Sequence, residues 1–235
     1  MSNENLLASN GWRTGPLYTV PEAARLAHVS SSTVRRWLYG YETPTSHMAP
    51  VFEEPKEQPR DSNIEVSFLQ LAEIYVAGQF RKRSISLQRV RRAHEYARRA
   101  WEPNYPFARL KFASDGPRIL AEFEAAEPGG KFVVLNPESG QLTLPGHVVT
   151  AIETFDFDER ELVSRWFPVG RTVPIVIDPK FSAGLPTIPD RRVTVGAIHK
   201  RWKDGGQLID FIASDLQLQP AIVEQVLRYA DRVAA

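Results

Sequence analysis

Residues 31–39 carry the groups of this chain that are best suited to contact nucleic acid. Their pattern predicts a short helix that buries Val34, Trp37 and Leu38 on one side. The other side would expose hydroxyl and guanidinium groups, which bond to phosphate oxygens and base edges. The alternative is a charged helix face that contacts only water. The predicted DNA-contact residues are Ser31, Ser32, Thr33, Arg35, Arg36 and Tyr39.

The preceding residues predict a second helix and a tight turn before this one. Thr19 is a good N-cap, and Glu22 three residues later completes a capping box. Pro21 falls in the first turn, where its missing N–H does no harm. Ser30 can cap the following helix, and Gly40 can end it. Two helices joined in this way form a helix-turn-helix, which places its second helix in the DNA major groove.

A second concentration of positive charge lies in residues 79–99. This segment has eight Lys or Arg residues and one acidic residue, in a chain whose formal net charge is only +1. Such a local basic stripe is typical of a surface that binds a polyanion, although helix arginines can also be merely solvated. We expect Arg81, Lys82 and Arg83 to add contacts to DNA phosphates.

The sequence offers no convincing catalytic set. Its five histidines are scattered, and the absence of cysteine excludes disulfides, cysteine nucleophiles and cysteine-ligated zinc. Asp156, Asp158, Glu159 and Glu161 could together bind a cation, but no nucleophile or histidine accompanies them, so a solvated acidic loop is the preferred interpretation. We predict a binding protein, not an enzyme, with no catalytic residues, no metal site and no cofactor.

The predicted fold class is α+β, in three parts. Residues 1–103 would form a winged helix-turn-helix domain, in which 51–53 pair with 64–66 as the wing and Ser67 and Ser86 begin two further helices. Residues 104–172 would form a small antiparallel β region. Its predicted strands are 109–112, 118–123, 132–136, 141–144 and 154–158.

Residues 173–235 would form a C-terminal domain of three helices resembling a helix-turn-helix. The helical stretches are predicted near 195–203, 207–214 and 220–233. No run approaches the length of a membrane span and the N-terminus lacks the pattern of a signal peptide, so we expect a cytoplasmic protein without a membrane partner.

A narrow apolar stripe is predicted on the helix of residues 87–101. It consists of Leu87, Val90, His94, Ala97 and Trp101, at alternating spacings of three and four. We expect a homodimer paired through this stripe, since DNA operators with two half-sites require a two-fold symmetric protein. The predicted strands of the middle region offer a second surface for self-pairing. His94 is then a packed histidine and not a ligand.

The N-terminal motifs resemble the MerR-type DNA-binding domain. The resemblance rests on the Ala23-Ala24 pair, the turn at Val29 and the Ser/Thr-x-x-Arg pattern of the second helix, and it extends through residues 66–101. The proline-rich stretch 41–65 departs from a usual MerR wing, and no cysteine cluster for an effector metal follows the helices. The resemblance implies operator binding and pairing of two copies.

Residues 173–230 resemble a small bacterial domain family of unknown function that is common beside PIN-domain toxins. The shared motifs are Asp178-Pro179, Gly184-Leu-Pro-Thr-Ile188 and the segment from Arg192 to Val195. The order of all the motifs together is similar to the long VapB-type antitoxins of VapBC type II toxin–antitoxin systems.

This resemblance implies an antitoxin that neutralises a PIN-domain ribonuclease and represses its own operon by binding operator DNA. PIN-domain sites present clustered carboxylates, so arginine forks and nearby aromatic anchors are the expected toxin contacts. The alternatives are a MerR-like transcriptional regulator that senses a small ligand without a toxin partner, and an accessory protein that bends DNA. The alternatives are that Trp202 and Tyr229 are core residues and that Arg191 and Arg192 only cap or solvate the helix that follows them. The predicted toxin-binding residues are Arg191, Arg192, Arg201, Trp202 and Tyr229.

Overall fold

Two compact units make up the chain. The computed structural model describes residues 11–52, 64–82, 84–101, 104–127, 129 and 131–234. The N-terminal unit comprises Met1–Glu153 with Phe157–Val163, and the C-terminal unit comprises Thr154–Asp156 with Ser164–Ala235. The structure thus has two units where the sequence predicted three parts, because most of the predicted middle region belongs to the N-terminal unit.

Helices dominate the described residues of the N-terminal unit, and its strands are short antiparallel pairs. Strand β1 pairs with β4, β2 with β3, and β5 with β6, so no larger sheet forms among them. The helices are α1 Gly11–Thr14, α2 Val20–Ala27, α3 Ser31–Tyr39, α4 Phe68–Arg81, α5 Leu87–Trp101, α6 Leu110–Ala126 and α7 Gly146–Glu153. The strands are β1 Pro16–Thr19, β2 Tyr41–Thr43, β3 Ser46–Met48, β4 Ile64–Ser67, β5 Val134–Leu135 and β6 Leu142–Thr143.

The predicted helix-turn-helix and its caps are confirmed. The Thr19 hydroxyl accepts a hydrogen bond from the Glu22 N–H at 3.2 Å, and the Glu22 carboxylate accepts one from the Thr19 N–H at 2.8 Å. His28 adopts the left-handed conformation, with φ of 55°, and ends α2. Ser30 then caps α3 by accepting a hydrogen bond from the Thr33 N–H at 3.2 Å. These local bonds fix where both helices begin and end.

The predicted wing is wrong in its pairing. The hairpin that follows α3 is β2–β3, in which Tyr41 pairs with Met48, whereas β4 pairs with β1. The side chains of Val51 and Phe52 are both buried, whereas neighbouring side chains of a strand would point to opposite faces. The Val51 N–H donates to the Trp37 carbonyl at 2.8 Å, which fixes this segment beneath α3. The rest of the predicted wing, residues 53 and 56–61, lies outside the described residues.

Helix α6 replaces the first two strands predicted for the middle region. Phe112, Ile119, Leu120 and Phe123 are buried at helical spacing along it. Gly116, which lies between the two strands predicted from the sequence, is inside the helix, and a Cβ atom there would come within 3.0 Å of the Phe112 ring. This glycine therefore permits close packing and does not form a turn. The later predictions are confirmed in shorter form, as the hairpin β5–β6 and as strand β7 Phe155–Phe157.

Helix α4 is the centre of the N-terminal unit. Every residue of 68–80 except Tyr75 is buried. Glu73 lies in the middle of this helix, fully buried, and its Oε1 accepts hydrogen bonds from His94 Nε2 at 2.9 Å and from the Phe107 N–H at 3.1 Å. The Phe52 and Phe107 rings lie edge-on to His94, so one polar pair is enclosed by aromatic side chains.

The predicted pairing of two copies through the stripe of α5 is wrong. Val90, His94 and Ala97 are buried against the unit's own core, and Leu87 and Trp101 are half-buried. The spacing of these residues correctly predicts a buried helix face, but the residues that cover this face belong to the same chain. His94 is a packed histidine, as predicted.

The C-terminal unit combines a small sheet with three helices. Its core includes Ile175, Ile188, Ile198, Val226 and Tyr229. Strand β8 pairs with β7, and β9 pairs with β10. The remaining elements are β8 Val163–Trp166, β9 Thr187–Ile188, β10 Val193–Thr194, α8 Val195–Lys203, α9 Ile209–Leu216 and α10 Pro220–Ala234.

The turn between α9 and α10 repeats the hydrogen bonding of the turn between α2 and α3. Gln217 ends α9 in the left-handed conformation, with φ of 52°, as His28 ends α2. The Leu218 N–H donates to the Ala213 carbonyl at 2.8 Å, as the Val29 N–H donates to Ala24 at 3.0 Å.

The buried positions of the two second helices also correspond. Val223, Val226 and Leu227 on α10 occupy the positions that Val34, Trp37 and Leu38 occupy on α3. Two segments with different sequences therefore adopt one local backbone arrangement.

A buried arginine holds the loop that follows β7. The Arg13 side chain, 3% exposed, bonds through Nη2 to Asp158 Oδ2 at 2.5 Å. The other Asp158 oxygen accepts hydrogen bonds from the Arg160 and Leu162 N–H groups, both at 3.0 Å. Burial by itself raises the pKa of Asp158, but the hydrogen bonds and positive charge of Arg13, with the backbone hydrogen bonds, lower that pKa below its ordinary value of 3.8.

The lowered pKa of Asp158 predicts an acid-sensitive contribution to stability. A carboxylate that is harder to protonate when folded stabilises the protein above its unfolded pKa, and this contribution is lost as the pH falls through the folded pKa. We expect Asp158→Asn to lower the free energy of unfolding by about 1–3 kcal/mol at neutral pH, because Arg13 loses its charged partner. Urea unfolding between pH 3 and pH 7 should show this difference narrowing as the pH falls. The exposed neighbour Glu159→Gln is the control, and an equal loss in both variants would contradict the assignment.

Candidate nucleic-acid interface

Helix α3 presents a polar face that is free of core contacts. Ser31, Ser32, Arg35 and Arg36 are exposed, and Thr33 is half-buried. Arg35 makes no hydrogen bond or ion pair with any described residue, so its guanidinium group is available to a ligand. The hydroxyl of Ser30 bonds those of Ser32 at 3.0 Å and Thr33 at 2.8 Å. Capping and exposure therefore place the predicted hydroxyls and arginines on one face.

The hairpin β2–β3 continues this face beyond the end of α3. The Arg36 guanidinium lies 5.2 Å from the centre of the Tyr41 ring, a cation–π contact that orients the arginine. Tyr41 in turn borders a small cavity of about 80 Å³ between the hairpin and α5, and Arg91 lines the same cavity. The sequence placed Arg91 in the basic stripe, but only the structure shows that it lines a cavity together with Tyr41 of the hairpin that follows α3.

The hairpin itself adds no positive charge. Residues 41–48 contain no Lys or Arg, and their one acidic residue, Glu42, lies 2.6 Å from His47. Among the described residues, lysine or arginine contacts to phosphate beside α3 would therefore come from the helices and not from this hairpin.

The basic stripe of residues 79–99 does not act as a single surface. Arg89 is buried, and its guanidinium lies 4.9 Å from the Phe123 ring and 5.7 Å from the Phe132 ring. Arg92 pairs with Glu127 at 3.0 Å, and Arg99 pairs with Glu95. The arginines of the stripe thus have different roles: some pack in the core, some form ion pairs, and others remain as exposed cations.

The three residues predicted to add phosphate contacts have different outcomes. Arg81 and Lys82 are exposed, and each also bonds within the chain, Arg81 to the Ile85 carbonyl and Lys82 to Gln79 Oε1 at 2.7 Å. Arg83 lies outside the described residues.

The predicted toxin-binding residues are divided by burial. Arg191, Arg192 and Trp202 are exposed, Trp202 to 38%. Arg191 donates to the Gln217 carbonyl at 2.9 Å. Tyr229 is 1% exposed, so its assignment as a partner contact is wrong and it belongs to the core. An aromatic side chain on a helix meets a partner only if that helix face is exposed.

Arg201 has partners within its own unit. Its guanidinium bonds Gln207 Oε1 at 2.8 Å and pairs with Asp215 at 2.8 Å. It links the end of α8 to α9, which gives it a structural role whether or not it also contacts a partner.

The acidic cluster that follows β7 is divided between two arginines. Asp158 pairs with Arg13, and Asp156 pairs with Arg171 at 2.8 Å. No group of three or more potential metal ligands occurs among the described residues. Within that same part of the chain, none of the helices has both the length and the apolar character that crossing a bilayer requires.

Comparisons with known families follow the division into two units. A family described as "Putative DNA-binding HTH domain" matches residues 16–94, which extend from β1 into α5 and include α3. A second family, described as "Protein of unknown function (DUF433)", matches residues 175–230. The first match supports a helix-turn-helix of a DNA-binding type in the N-terminal part.

Two proteins of Mycobacterium tuberculosis are similar to this chain along nearly its whole length. One is named "Putative antitoxin VapB45" and is 26% identical over 231 residues, covering 94% of this chain and 95% of that protein. The other, named "Uncharacterized protein Rv2308", is 28% identical over 222 residues, covering 92% and 90%. The crystal structure of Rv2018 from the same organism shares the fold, with a TM-score of 0.76 over 90% of this chain and 97% of that one at 24% identity.

Proposed function

We propose that this protein is the antitoxin of a VapBC-like type II system, which neutralises a PIN-domain ribonuclease and represses its own operon. The observation that carries the proposal is the similarity to VapB45 through both units. That similarity covers the helix-turn-helix and the C-terminal helices together, so one chain combines a DNA-contact unit with a second unit that is available for a protein.

In this proposal the N-terminal unit binds operator DNA in the MerR manner. Helix α3 enters the major groove, where the Arg35 and Arg36 forks contact base edges or phosphates and the flanking hydroxyls contact the backbone. Arg91, which lines the cavity beside Tyr41, contacts an adjacent phosphate in this proposal. Arg81 and Lys82 are retained as further phosphate contacts, because both side chains are exposed.

The motif of α9 and α10 is a poor second candidate for DNA contact. The positions that correspond to Ser31, Ser32, Arg35, Arg36 and Tyr39 are Pro220, Ala221, Glu224, Gln225 and Arg228. Glu224 would repel phosphate, and Arg228 pairs with it at 3.2 Å. The helix-turn-helix arrangement is thus repeated without its cationic face, which favours a protein partner for the C-terminal unit.

We propose that the protein acts as a homodimer, paired through the hairpin β5–β6. Leu135 and Leu142 are directly opposite each other in this hairpin, and they are 66% and 46% exposed. A solvent-exposed pair of leucines on adjacent strands is typical of an interaction surface. Because α5 is packed within its own unit, this hairpin is the better candidate for the two-fold contact.

The proposed toxin surface contains Arg191, Arg192 and Trp202. Arginine forks match the carboxylates of a nuclease site, and Trp202 supplies an exposed aromatic anchor. Arg192 has a left-handed backbone conformation, with φ of 49°, at the end of the short 3₁₀ turn Pro189–Arg191.

The first test concerns DNA. We expect Arg35→Ala/Arg36→Ala to weaken binding to the DNA upstream of the gene by about 1–3 kcal/mol for each lost base contact. The slope of the logarithm of the binding constant against the logarithm of the salt concentration should become shallower by about one unit for each lost phosphate contact. Fluorescence anisotropy at several salt concentrations measures both quantities. Arg228→Ala, an exposed arginine of the corresponding C-terminal helix, is the matched control, and equal affinity in all three proteins would refute the assignment.

The second test concerns assembly. We expect Leu135→Glu/Leu142→Lys to convert a dimer into monomers at micromolar concentration, because charged side chains would be buried at the contact. Light scattering gives the mass directly. Leu185→Glu, which changes an exposed leucine of the C-terminal unit, should leave the dimer intact. A monomeric wild-type protein, or an unchanged mass in the double variant, would exclude this interface.

The third test concerns the toxin. We expect Arg191→Glu/Arg192→Glu to abolish rescue of cells that express the neighbouring PIN-domain nuclease, and to abolish copurification of the two proteins. Binding to upstream DNA should remain, since α3 is untouched. Arg228→Glu is the control for charge reversal on the same unit. Full neutralisation by the double variant would remove these arginines from the inhibitory contact, and failure of the wild type to bind the nuclease would refute the antitoxin proposal itself.

A further inference from the structure

A groove crosses one face of the small sheet in the C-terminal unit. Trp166 and Ile177 exchange backbone hydrogen bonds at 3.0 and 2.8 Å, and Val176 and Thr187 exchange two at 2.9 Å. Trp166 and Ile177 point into the core, so their neighbours along the chain lie on the opposite face. That face is the floor of a groove of about 830 Å³. Its lining is Arg165, Phe167, Val176, Asp178, Phe181, Ser182, Thr187, Pro189, Asp190 and Arg192.

A buried carboxylate orients Arg165 at the edge of this groove. The Arg165 Nε donates to Asp178 Oδ2 at 3.1 Å, while Asp178 Oδ1 accepts from the Lys180 N–H at 2.9 Å. The Asp178 side chain is 9% exposed and the Arg165 side chain is 54% exposed. The terminal nitrogens of Arg165 make no hydrogen bond with any described residue. They form a fixed fork that matches the two oxygens of a carboxylate.

The walls of the groove have a strained backbone and an exposed aromatic ring. Ser182, Ala183 and Arg192 have φ values of 49°, 50° and 49°, although none of them is glycine. Each such residue is less stable than in a right-handed conformation by about 1–2 kcal/mol, and strain of this kind concentrates at binding sites. Phe181, between β8 and β9 in the chain, is 62% exposed. The groove therefore combines an exposed aromatic ring with an oriented cation.

We propose that this groove binds an extended peptide segment of a protein partner, with an Asp or Glu carboxylate beside an apolar side chain. The carboxylate pairs with the Arg165 fork, and the apolar side chain packs between Phe167 and Phe181. The volume accommodates a few residues. Asp190 accepts hydrogen bonds from peptide N–H groups, and its negative charge disfavours a nucleic-acid strand. This proposal goes beyond the antitoxin proposal, since it specifies a peptide chemistry that any protein partner could supply.

The experiment presents the whole protein to a library of random nine-residue peptides displayed on phage. We expect enriched peptides to share an acidic residue next to a large apolar residue. A fluorescent synthetic peptide of the enriched sequence should bind Arg165→Gln and Phe181→Ser about tenfold to a hundredfold more weakly than the wild type. Arg228→Gln should bind within about twofold of the wild type, because Arg228 is exposed and does not line the groove.

Each alternative result overturns the proposal. No enriched sequence, enrichment without an acidic residue, or equal affinity of the Arg165 variant would each refute it. Arg165-dependent binding of a labelled single-stranded oligouridylate instead of peptides would identify a nucleic-acid site. The peptide experiment contains no toxin, so a negative result in it leaves the antitoxin proposal standing. A protein that fails to bind the toxin can still bind the peptide, and that result leaves the peptide site standing.

Discussion

The N-terminal unit depends on one constraint, the burial of helix α4 on nearly every side. A helix so enclosed must satisfy any polar group that it carries, since an unpaired buried carboxylate is strongly destabilising. Glu73 meets this requirement through one of its two oxygens: Oε1 accepts hydrogen bonds from His94 on α5 and from the backbone of Phe107, whereas Oε2 has no hydrogen-bond partner among the described residues. Gly78 on the same helix lets the turn after α2 approach, because a Cβ there would lie 3.1 Å from the Val29 side chain. The position of the helix-turn-helix thus follows from how α4 is surrounded.

The parts of the fold that the sequence predicted correctly are those that depend on short-range chemistry. The caps at Thr19, Ser30 and Ser67 each have their partner three residues away, so residue types alone locate the starts of α2, α3 and α4. Helix α6 could not be predicted in this way. Gly116 and Pro117 favour a turn locally, and the packing of Phe112 and Phe123 into an aromatic core outweighs that preference. The pairing of β4 with β1 depends equally on distant contacts.

The same distinction applies to the candidate interface. The outward side chains of α3 follow from helical spacing alone, whereas the fate of each arginine on α5 depends on what lies opposite. Arg89 faces two aromatic rings and is buried, and Arg91 borders the cavity beside Tyr41. Sequence shows where positive charge is concentrated, but only tertiary structure shows which cations remain for a partner. The groove beside Arg165 could not be located from the sequence, because its residues come from four separate segments, although Asp178, Thr187 and Arg192 lie within motifs that the sequence analysis named.

The repeated turn at His28 and Gln217 separates backbone shape from surface chemistry. In both motifs the same inward positions are apolar, while the outward positions are Ser and Arg in one and Pro, Ala and Glu in the other. The N-cap position of the first helix also differs between the two motifs. Thr19 caps α2, whereas Leu208, at the corresponding position of α9, is 75% exposed and makes no side-chain cap. Either surface can therefore change over evolution without disturbing the frame that carries it, and a lineage can acquire a new operator or a new protein partner one face at a time.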